Sequence, residues 1–288
     1  MVITRVGNFV PSMSGVTPLA EESTTPPSSA KNPRVLQHTT SALHRRRTLY
    51  LVRHGEAVHN VLEAKAQAQA LVEAQALQLS DEETKALQEE RRKAVLHDVS
   101  LQDAPLTDNG RQQAFECGKR LQQLIDEGRV HAPTEAMVSP LHRTMETCEI
   151  LLDTVNPDIK AHIRPEIQER ITLLPPDTVR KRGSLFRCME DKSGRFIMNF
   201  TNRDVLEECQ ARESQEMLRE RAAKLFHLLM EMEHRHLLIV SHKGYLRELE
   251  RGLLGLTDSP LFGNAELRVY RVIFTKGART LESVERLV

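Results

Sequence analysis

The chain has 288 residues and carries 40 basic and 40 acidic side chains, so its formal net charge at neutral pH is zero. A chain of this length can bury one sizeable core. General nucleic-acid and membrane-surface binders carry an excess of basic residues, which this chain does not have, so we expect neither kind of partner. No apolar run approaches the roughly 18 residues of a membrane span. The four cysteines form no CxxC pair, which is typical of reduced thiols in a cytoplasmic protein.

The first 46 residues are rich in Ser, Thr and Pro and show neither helical nor strand periodicity. Such a composition predicts a disordered tail over 1–46, followed by a folded domain over 47–288. The first 20 residues contain Arg5, several hydroxyl side chains and no acidic residue. This pattern leaves targeting to an organelle open as an alternative to the cytoplasm.

The folded part is predicted to begin with an apolar strand, 48–52, that ends at an Arg-His-Gly sequence. Residues 62–98 contain no Gly or Pro and many Ala, Gln, Glu and Lys, a composition that favours helix. Ser80 and Glu83 form a capping-box pattern, so we predict a helical insertion of two helices with a break at this point. The narrow apolar stripe of 62–98 favours an accessory lid, or a contact for a protein partner or second subunit. A solvated insertion without a role is an alternative of at least equal weight.

Downstream, strand-like and helix-like segments alternate along the chain. We predict helices over about 110–126, 142–154, 208–234 and 242–254, and strands over 135–139, 160–163, 236–241, 267–274 and 280–286. Residues 165–209 contain several Pro and Gly and are predicted to be irregular. This alternation predicts an α/β fold, a three-layer sandwich whose largely parallel central sheet is covered by helices on both faces.

Three predicted strands deliver cationic or imidazole side chains just past their carboxyl ends. Arg53 and His54 follow the first strand, Arg143 follows another, and His242 follows a third. In an open α/β sheet, ligands bind in the crevice at this edge. Guanidinium groups match phosphate oxygens and stay charged, and Asn60 and His242 can each donate a further hydrogen bond. The sequence therefore predicts a cradle that stabilises a phosphoryl group during in-line transfer.

His54 is the predicted nucleophile, because no serine or cysteine holds a comparable position. The unperturbed pKa of histidine, about 6.5, leaves one ring nitrogen unprotonated at neutral pH. Neighbouring arginine charges should lower that pKa further. The leaving alkoxide needs a proton from a carboxyl group. Glu166 and Glu169 are the two candidates at the start of the irregular segment, and Glu56 and Asp108 are weaker ones.

Four ordered motifs resemble those of the histidine phosphatase superfamily, which contains phosphoglycerate mutases and many phosphatases. The motifs are Arg53-His54-Gly55-Glu56, residues 106–114 (LTDNGRQQA), residues 139–147 (SPLHRTMET) and Val240-Ser241-His242. The resemblance implies one role for each site residue: nucleophile for His54, second histidine for His242, phosphate binding for Arg53, Asn60 and Arg143. Among the carboxylates, Glu169 best matches the proton donor of the family, and Glu166 is the reserve candidate.

The chain also departs from the mutase pattern. Ala57 stands where mutases usually carry a hydroxyl group, and Lys243 follows the second histidine where glycine is common. His59 and residues 176–178 look more like a phosphomutase-like branch. The resemblance implies hydrolysis of a small phosphorylated metabolite through a phosphohistidine, with no metal and no cofactor. Two alternatives stay open: a phosphoglycerate mutase-type transfer, and a phosphate-binding interaction protein with weak catalysis.

Overall fold

The computed structural model describes residues 44–179, 194–198, 211–275 and 280–288, and a seven-stranded sheet lies at its centre. The strands are β1 (His44–Arg53), β2 (Glu135–Val138), β3 (Ala161–Ile163), β4 (Phe196–Met198), β5 (His236–Ser241), β6 (Leu267–Thr275) and β7 (Thr280–Arg286). The helices are α1 (Val58–Ala76), α2 (Asp81–Leu96), α3 (Asp108–Asp126), α4 (His142–Val155), α5 (Gln215–Glu231) and α6 (Lys243–Arg251). Short 3-10 turns occur at Val99–Leu101, Pro165–Ile167 and Pro175–Asp177.

The strands lie in the order β4-β3-β2-β5-β1-β6-β7. The pairs from β4 to β1 are parallel, whereas β6 and β7 pair antiparallel at one edge. Because alternate side chains of a strand point to opposite faces, β1 contributes to two cores. Leu49 and Leu51 join the cluster that contains the buried residues of α5 and α6, and Tyr50 and Val52 join the cluster of α3 and α4. The predicted α/β sandwich with a largely parallel sheet is confirmed.

The first strand is longer than its apolar run indicated. It begins at His44, before the predicted domain boundary at residue 47. The antiparallel ladder to β6 continues through Arg45 and Arg46, and Arg45 Nη1 donates to Met230 O at 2.9 Å. These contacts with distant segments extend the strand where the local sequence is not apolar. The rest of the predicted tail, residues 1–43, lies outside the described residues.

Two further differences concern the segment before β5. Helix α5 begins at Gln215, well after the predicted start at 208, because Ser214 caps it by accepting a hydrogen bond from Met217 N at 3.1 Å. Strand β4 lies inside the stretch predicted to be irregular and pairs with β3. A strand of three residues is too short to show the alternation of apolar and polar residues by which a strand is recognised in a sequence. Residues 199–210 lie outside the described ranges.

The predicted two-helix insertion is confirmed as α1 and α2. Ser80 caps α2 by accepting from Glu83 N at 3.3 Å, and Ser80 N donates to the carboxylate of Glu83 at 2.9 Å. Helix α1, however, begins at Val58, so the predicted boundary at 62 falls within one continuous helix. That helix carries Asn60, which joins the insertion directly to the candidate site. A partner contact through 62–98 stays a prediction.

Two of the cysteines can be placed. Cys117 and Cys148 are buried and form no disulfide, and burial raises the pKa of both thiols to about 12. The predictions for Cys188 and Cys209 lie outside the described residues. Over the ranges that the structure describes, no helix combines the length and apolarity that crossing a membrane requires.

Candidate active site

The carboxyl ends of three parallel strands meet at one edge of the sheet. Arg53 at the end of β1 is in register with Ser241 at the end of β5, and β2 pairs with the other side of β5. Beyond the strands, His54 N donates to Ser241 O at 3.0 Å and Ser139 N donates to Val240 O at 3.1 Å. The sheet therefore places the segments that follow these strands side by side, as the sequence predicted.

The ring of His54 is buried and has a defined tautomer. Its Nδ1 lies 2.7 Å from the carbonyl oxygen of Gly55. Because a carbonyl only accepts hydrogen bonds, Nδ1 carries the proton and Nε2 keeps its lone pair. A Cβ atom at residue 55 would overlap Gly110 O, so this close backbone approach requires glycine.

The environment of His54 favours the neutral imidazole. Burial lowers the pKa of His54 well below its ordinary value, and the charges of Arg143 and Arg53 lower it further. The sequence predicted the effect of the arginines but not that of burial, which is larger. At neutral pH the Nε2 lone pair is therefore free to act as a nucleophile.

Arg143 is held at the start of α4 by a loop that follows β3. Its side chain is 1 % exposed. Nη1 donates to Pro176 O at 2.6 Å and Nη2 donates to Asp177 Oδ1 at 3.1 Å. Asp177 is held in turn by Thr172, whose hydroxyl donates to Oδ2 at 2.7 Å. This buried, charge-compensated guanidinium has a fixed position at the cavity.

Thr147 connects the helix of Arg143 to the loop of His54. Its hydroxyl donates to Arg143 O at 2.7 Å and accepts from Gly55 N at 3.0 Å. Arg53 is held separately, through a hydrogen bond from Nη1 to Phe262 O at 2.9 Å. Arg143 and Arg53 are therefore each held at the cavity by a hydrogen bond to a different backbone carbonyl group.

Asn60 is oriented by its two neighbours in the first turn of α1. Its Oδ1 accepts from Ala57 N at 3.1 Å, which directs Nδ2 to His59 Nε2 at 3.0 Å. His59 is buried beside His54, with ring centroids 6.4 Å apart. Burial and the nearby arginines lower the pKa of His59 to about 2, so the ring is neutral and its Nε2 accepts. The sequence showed His59 next to Asn60 but gave no signal for this orienting contact.

His242 lies behind His54, with ring centroids 5.2 Å apart. It has no exposed surface, and its Nε2 lies 2.7 Å from Ser139 Oγ. Within the described part of the chain, its buried Nδ1 has no hydrogen-bond partner. Burial is the main cause that lowers the pKa of His242 well below its ordinary value, and the charge of Arg143 lowers it further. A neutral second imidazole therefore adjoins the nucleophile.

Among the four carboxylates that the sequence offered as proton donors, Glu169 alone lines the cavity. Its Oε1 accepts from Arg170 N at 2.9 Å and its Oε2 accepts from Gly244 N at 3.3 Å. Glu166 is exposed to solvent. Glu56 accepts a hydrogen bond from Thr107 Oγ1 at 2.7 Å, and Asp108 pairs with Arg111 at 2.8 Å. The geometry therefore favours Glu169 over the three other candidates.

These side chains surround one cavity of about 500 Å³. Arg53, His54, Asn60, Arg143 and Glu169 line it, and His242 is the neighbour of His54. The cavity also includes His59, Asp177 and residues of α2 that sequence analysis did not assign to the site. The insertion thus contributes a wall of the cavity, as the lid interpretation predicts. In the described ranges, no group of three or more His, Cys, Asp or Glu side chains is arranged so that it could hold a metal ion.

Several solved structures resemble the chain at low sequence identity. A mycobacterial glucosyl-3-phosphoglycerate phosphatase is 16% identical, with 84% of this chain and 98% of that chain covered and a TM-score of 0.48. The ecdysone phosphate phosphatase from Bombix mori is 16% identical, with 78% of this chain and 89% of that chain covered and a TM-score of 0.49. A phosphoserine phosphatase from Entamoeba histolytica is 17% identical, with 78% of this chain and 90% of that chain covered and a TM-score of 0.42. No curated protein sequence matches the chain significantly.

The sequence model of the histidine phosphatase superfamily (branch 1) matches residues 98–286, which is more than half of the chain. The match begins where the insertion ends, so Arg53 and His54 lie upstream of it and the fold brings them to the matched segment. Arg143, Glu169 and His242 lie within it. The chain therefore belongs to the histidine phosphatase superfamily.

Proposed function

We propose that the protein is a phosphatase that hydrolyses phosphate monoesters of small molecules through a phosphohistidine on His54. One observation carries the proposal: His54, whose Nδ1 lies 2.7 Å from Gly55 O so that Nε2 keeps its lone pair, lines the same cavity as Arg53 and Arg143. A neutral nucleophile beside fixed cations is the combination that in-line phosphoryl transfer requires.

In the first step, His54 Nε2 attacks phosphorus while the bond from phosphorus to the ester oxygen breaks. Arg53, Arg143 and Asn60 donate hydrogen bonds to the equatorial phosphoryl oxygens, where the negative charge resides. Glu169, protonated at this point, transfers its proton to the departing alkoxide, which leaves as an alcohol. The products of this half-reaction are the alcohol and a phosphohistidine with Glu169 as a carboxylate.

In the second step, water takes the place of the alcohol. The carboxylate of Glu169 removes a proton from that water as its oxygen attacks the phosphorus of phosphohistidine. The bond from phosphorus to nitrogen breaks, inorganic phosphate forms, and both His54 and Glu169 return to their initial states. In this scheme arginine charges neutralise the phosphoryl group, and no metal or cofactor takes part.

The proposal is tested with p-nitrophenyl phosphate and a panel of phosphorylated metabolites. Wild type should release phosphate, and His54→Ala should lose about 10⁴-fold or more in kcat, since the covalent route is removed. Denaturation in alkaline detergent during turnover should trap a phosphoenzyme in wild type alone, and subsequent mild acid should release its phosphate, as expected for a phosphohistidine. His227→Ala, a change at an exposed histidine on α5, is the matched control and should retain activity. Addition of EDTA should leave the rate unchanged.

Two results would contradict the proposal in different ways. Conversion of 3-phosphoglycerate to 2-phosphoglycerate, faster than phosphate release, would identify a mutase. Binding of phosphate without hydrolysis of any ester in the panel would identify a phosphate-binding protein. An unaltered rate in His54→Ala would exclude the assigned nucleophile.

A further inference from the structure

The cavity carries more positive charge than a single phosphate requires. Among the described residues, eight cationic side chains and four carboxylates line it. Some of these cations are already paired: Arg143 with Asp177, and Arg92 of α2 with Glu63. Within the described part of the cavity wall, Arg170, Arg212, Lys243 and Arg247 form no ion pair with a lining carboxylate. The excess positive charge therefore belongs to residues other than Arg53 and Arg143.

Two of these cations belong to residues whose backbone adjoins the proton donor, and a third lies on the same helix as one of them. Arg170 follows Glu169 and donates its backbone N–H to Glu169 Oε1 at 2.9 Å. Lys243 precedes Gly244, whose N–H donates to Glu169 Oε2 at 3.3 Å. Arg247 lies one turn further along α6, on the same face as Lys243. All three residues line the same cavity as Glu169. Because Glu169 is assigned to the ester oxygen, we assign the wall that these residues form beside it to the alcohol portion.

Helix α6 holds two of these cations at positions that oppose helix stability. Lys243 is its first residue and the first turn contains no acidic residue, although the positive end of the helix dipole disfavours a cation there. Lys243 and Arg247 are also like charges at i and i+4, which repel. Arg247 Nε lies 3.4 Å from Glu248 Oε1, but that carboxylate already accepts from Gln215 and Arg219. A bound anion would relieve this unfavourable arrangement.

We propose that Arg170, Lys243 and Arg247 form a subsite for a second anionic group of the substrate. The preferred substrates are then phosphate monoesters whose alcohol portion carries a carboxylate or a second phosphate. This inference rests on the proposed function, because the position of Glu169 defines the side on which the alcohol portion binds.

The test compares phenyl phosphate with 3-carboxyphenyl phosphate, which differ by one carboxylate far from phosphorus. Wild type should favour the carboxylated ester in kcat/KM by roughly tenfold, the scale of one charge-assisted hydrogen bond. Lys243→Gln and Arg247→Gln should each lower this ratio by about threefold or more, and Lys243→Glu should lower it further. Lys224→Gln, at an exposed lysine outside the cavity, is the matched control and should keep the wild-type ratio.

The outcomes separate the subsite from the proposed function. Lys243 is exposed, so Lys243→Gln tests the subsite even where Arg247→Gln fails to fold. A wild-type ratio near one, or a ratio that Lys243→Gln and Lys243→Glu leave unchanged, overturns the subsite. In that case, His54-dependent hydrolysis of phenyl phosphate still supports the proposed function. Absence of His54-dependent hydrolysis of both esters overturns both proposals.

Discussion

Asp177 neutralises Arg143 when the cavity holds no substrate: Asp177 Oδ1 lies 3.1 Å from Arg143 Nη2. The guanidinium is 1 % exposed and also donates to Pro176 O at 2.6 Å. A buried cation without a counter-charge is costly, so this carboxylate stabilises the free protein. A phosphoryl group in the cavity would supply a second source of negative charge beside the same arginine.

The first prediction follows from that pair. Asp177→Ala should lower the free energy of unfolding by about 3 kcal/mol, because Arg143 loses its counter-charge while it stays buried. Inorganic phosphate or tungstate should stabilise the variant more than wild type, because the anion replaces the missing carboxylate. Urea unfolding with and without the anion measures both effects. Glu166→Ala removes an exposed carboxylate and is the control; equal stabilisation of wild type and Asp177→Ala by the anion would contradict the prediction.

The site residues differ in how clearly the sequence alone indicates them. Arg53, His54 and His242 follow apolar runs directly, so the sequence indicated both their strands and the shared edge. Asp177 could not be assigned, because its contact with Arg143 depends on how the loop after β3 folds back over α4. Local patterns report strand ends, whereas they do not report the path of a long loop.

The sequence left the role of the insertion open between a lid, a partner contact and no role. The composition of 62–98 predicted two helices and a capped break at Ser80, and both are present. The composition did not indicate that α1 starts at Val58 and carries Asn60, or that α2 lines the cavity through Arg92 and its neighbours. These features depend on the packing of the two helices against each other and against the site.

The second prediction concerns the proton donor. Glu169→Gln should slow hydrolysis of alkyl phosphates by about 100-fold or more, the usual contribution of general acid catalysis. The loss should be smaller for p-nitrophenyl phosphate, whose leaving group hardly needs a proton. Rates on both esters measure the difference, and Glu166→Gln is the matched control. Equal losses on the two esters would count against Glu169 as the acid.

The third prediction tests the position of the same carboxyl group. A Cβ atom at Gly244 would overlap Glu169 Oε1, so Gly244→Ala should displace the carboxyl group while the backbone stays in place. We expect this variant to reproduce the leaving-group selectivity of Glu169→Gln, with a loss of roughly tenfold or more on alkyl phosphates. Gly263→Ala, at a position where an added Cβ makes only ordinary van der Waals contact with Glu266, should have little effect. Wild-type rates on alkyl phosphates in Gly244→Ala would contradict the assigned contact.

The fourth prediction concerns stability at low pH. Burial lowers the pKa values of His54, His59 and His242, so the unfolded chain binds protons at these residues that the folded chain rejects. Their contribution to stability is therefore complete above about pH 6.5, the unfolded pKa, and falls as pH decreases below it. Each residue should account for about 1.4 kcal/mol per pH unit in that window. Urea unfolding between pH 7 and pH 5 measures the slope.

A matched pair of variants isolates one histidine in this prediction. His59→Asn removes a buried imidazole and should reduce the slope by about 1.4 kcal/mol per pH unit. His227→Asn changes an exposed imidazole and should leave the slope as in wild type. An unchanged slope in His59→Asn would mean that His59 does not stay neutral in the folded protein.

The last prediction concerns the orientation of Asn60. Its Nδ2 donates to His59 Nε2 at 3.0 Å, which leaves the second hydrogen of the amide for a phosphoryl oxygen. His59→Phe keeps a ring but removes the hydrogen-bond acceptor, so kcat/KM for p-nitrophenyl phosphate should fall roughly tenfold. His59→Gln supplies an acceptor again and should retain more activity than His59→Phe. In an Asn60→Ala background, His59→Phe should cause little further loss, because the two residues act through one contact. Additive losses would show instead that His59 acts independently of Asn60.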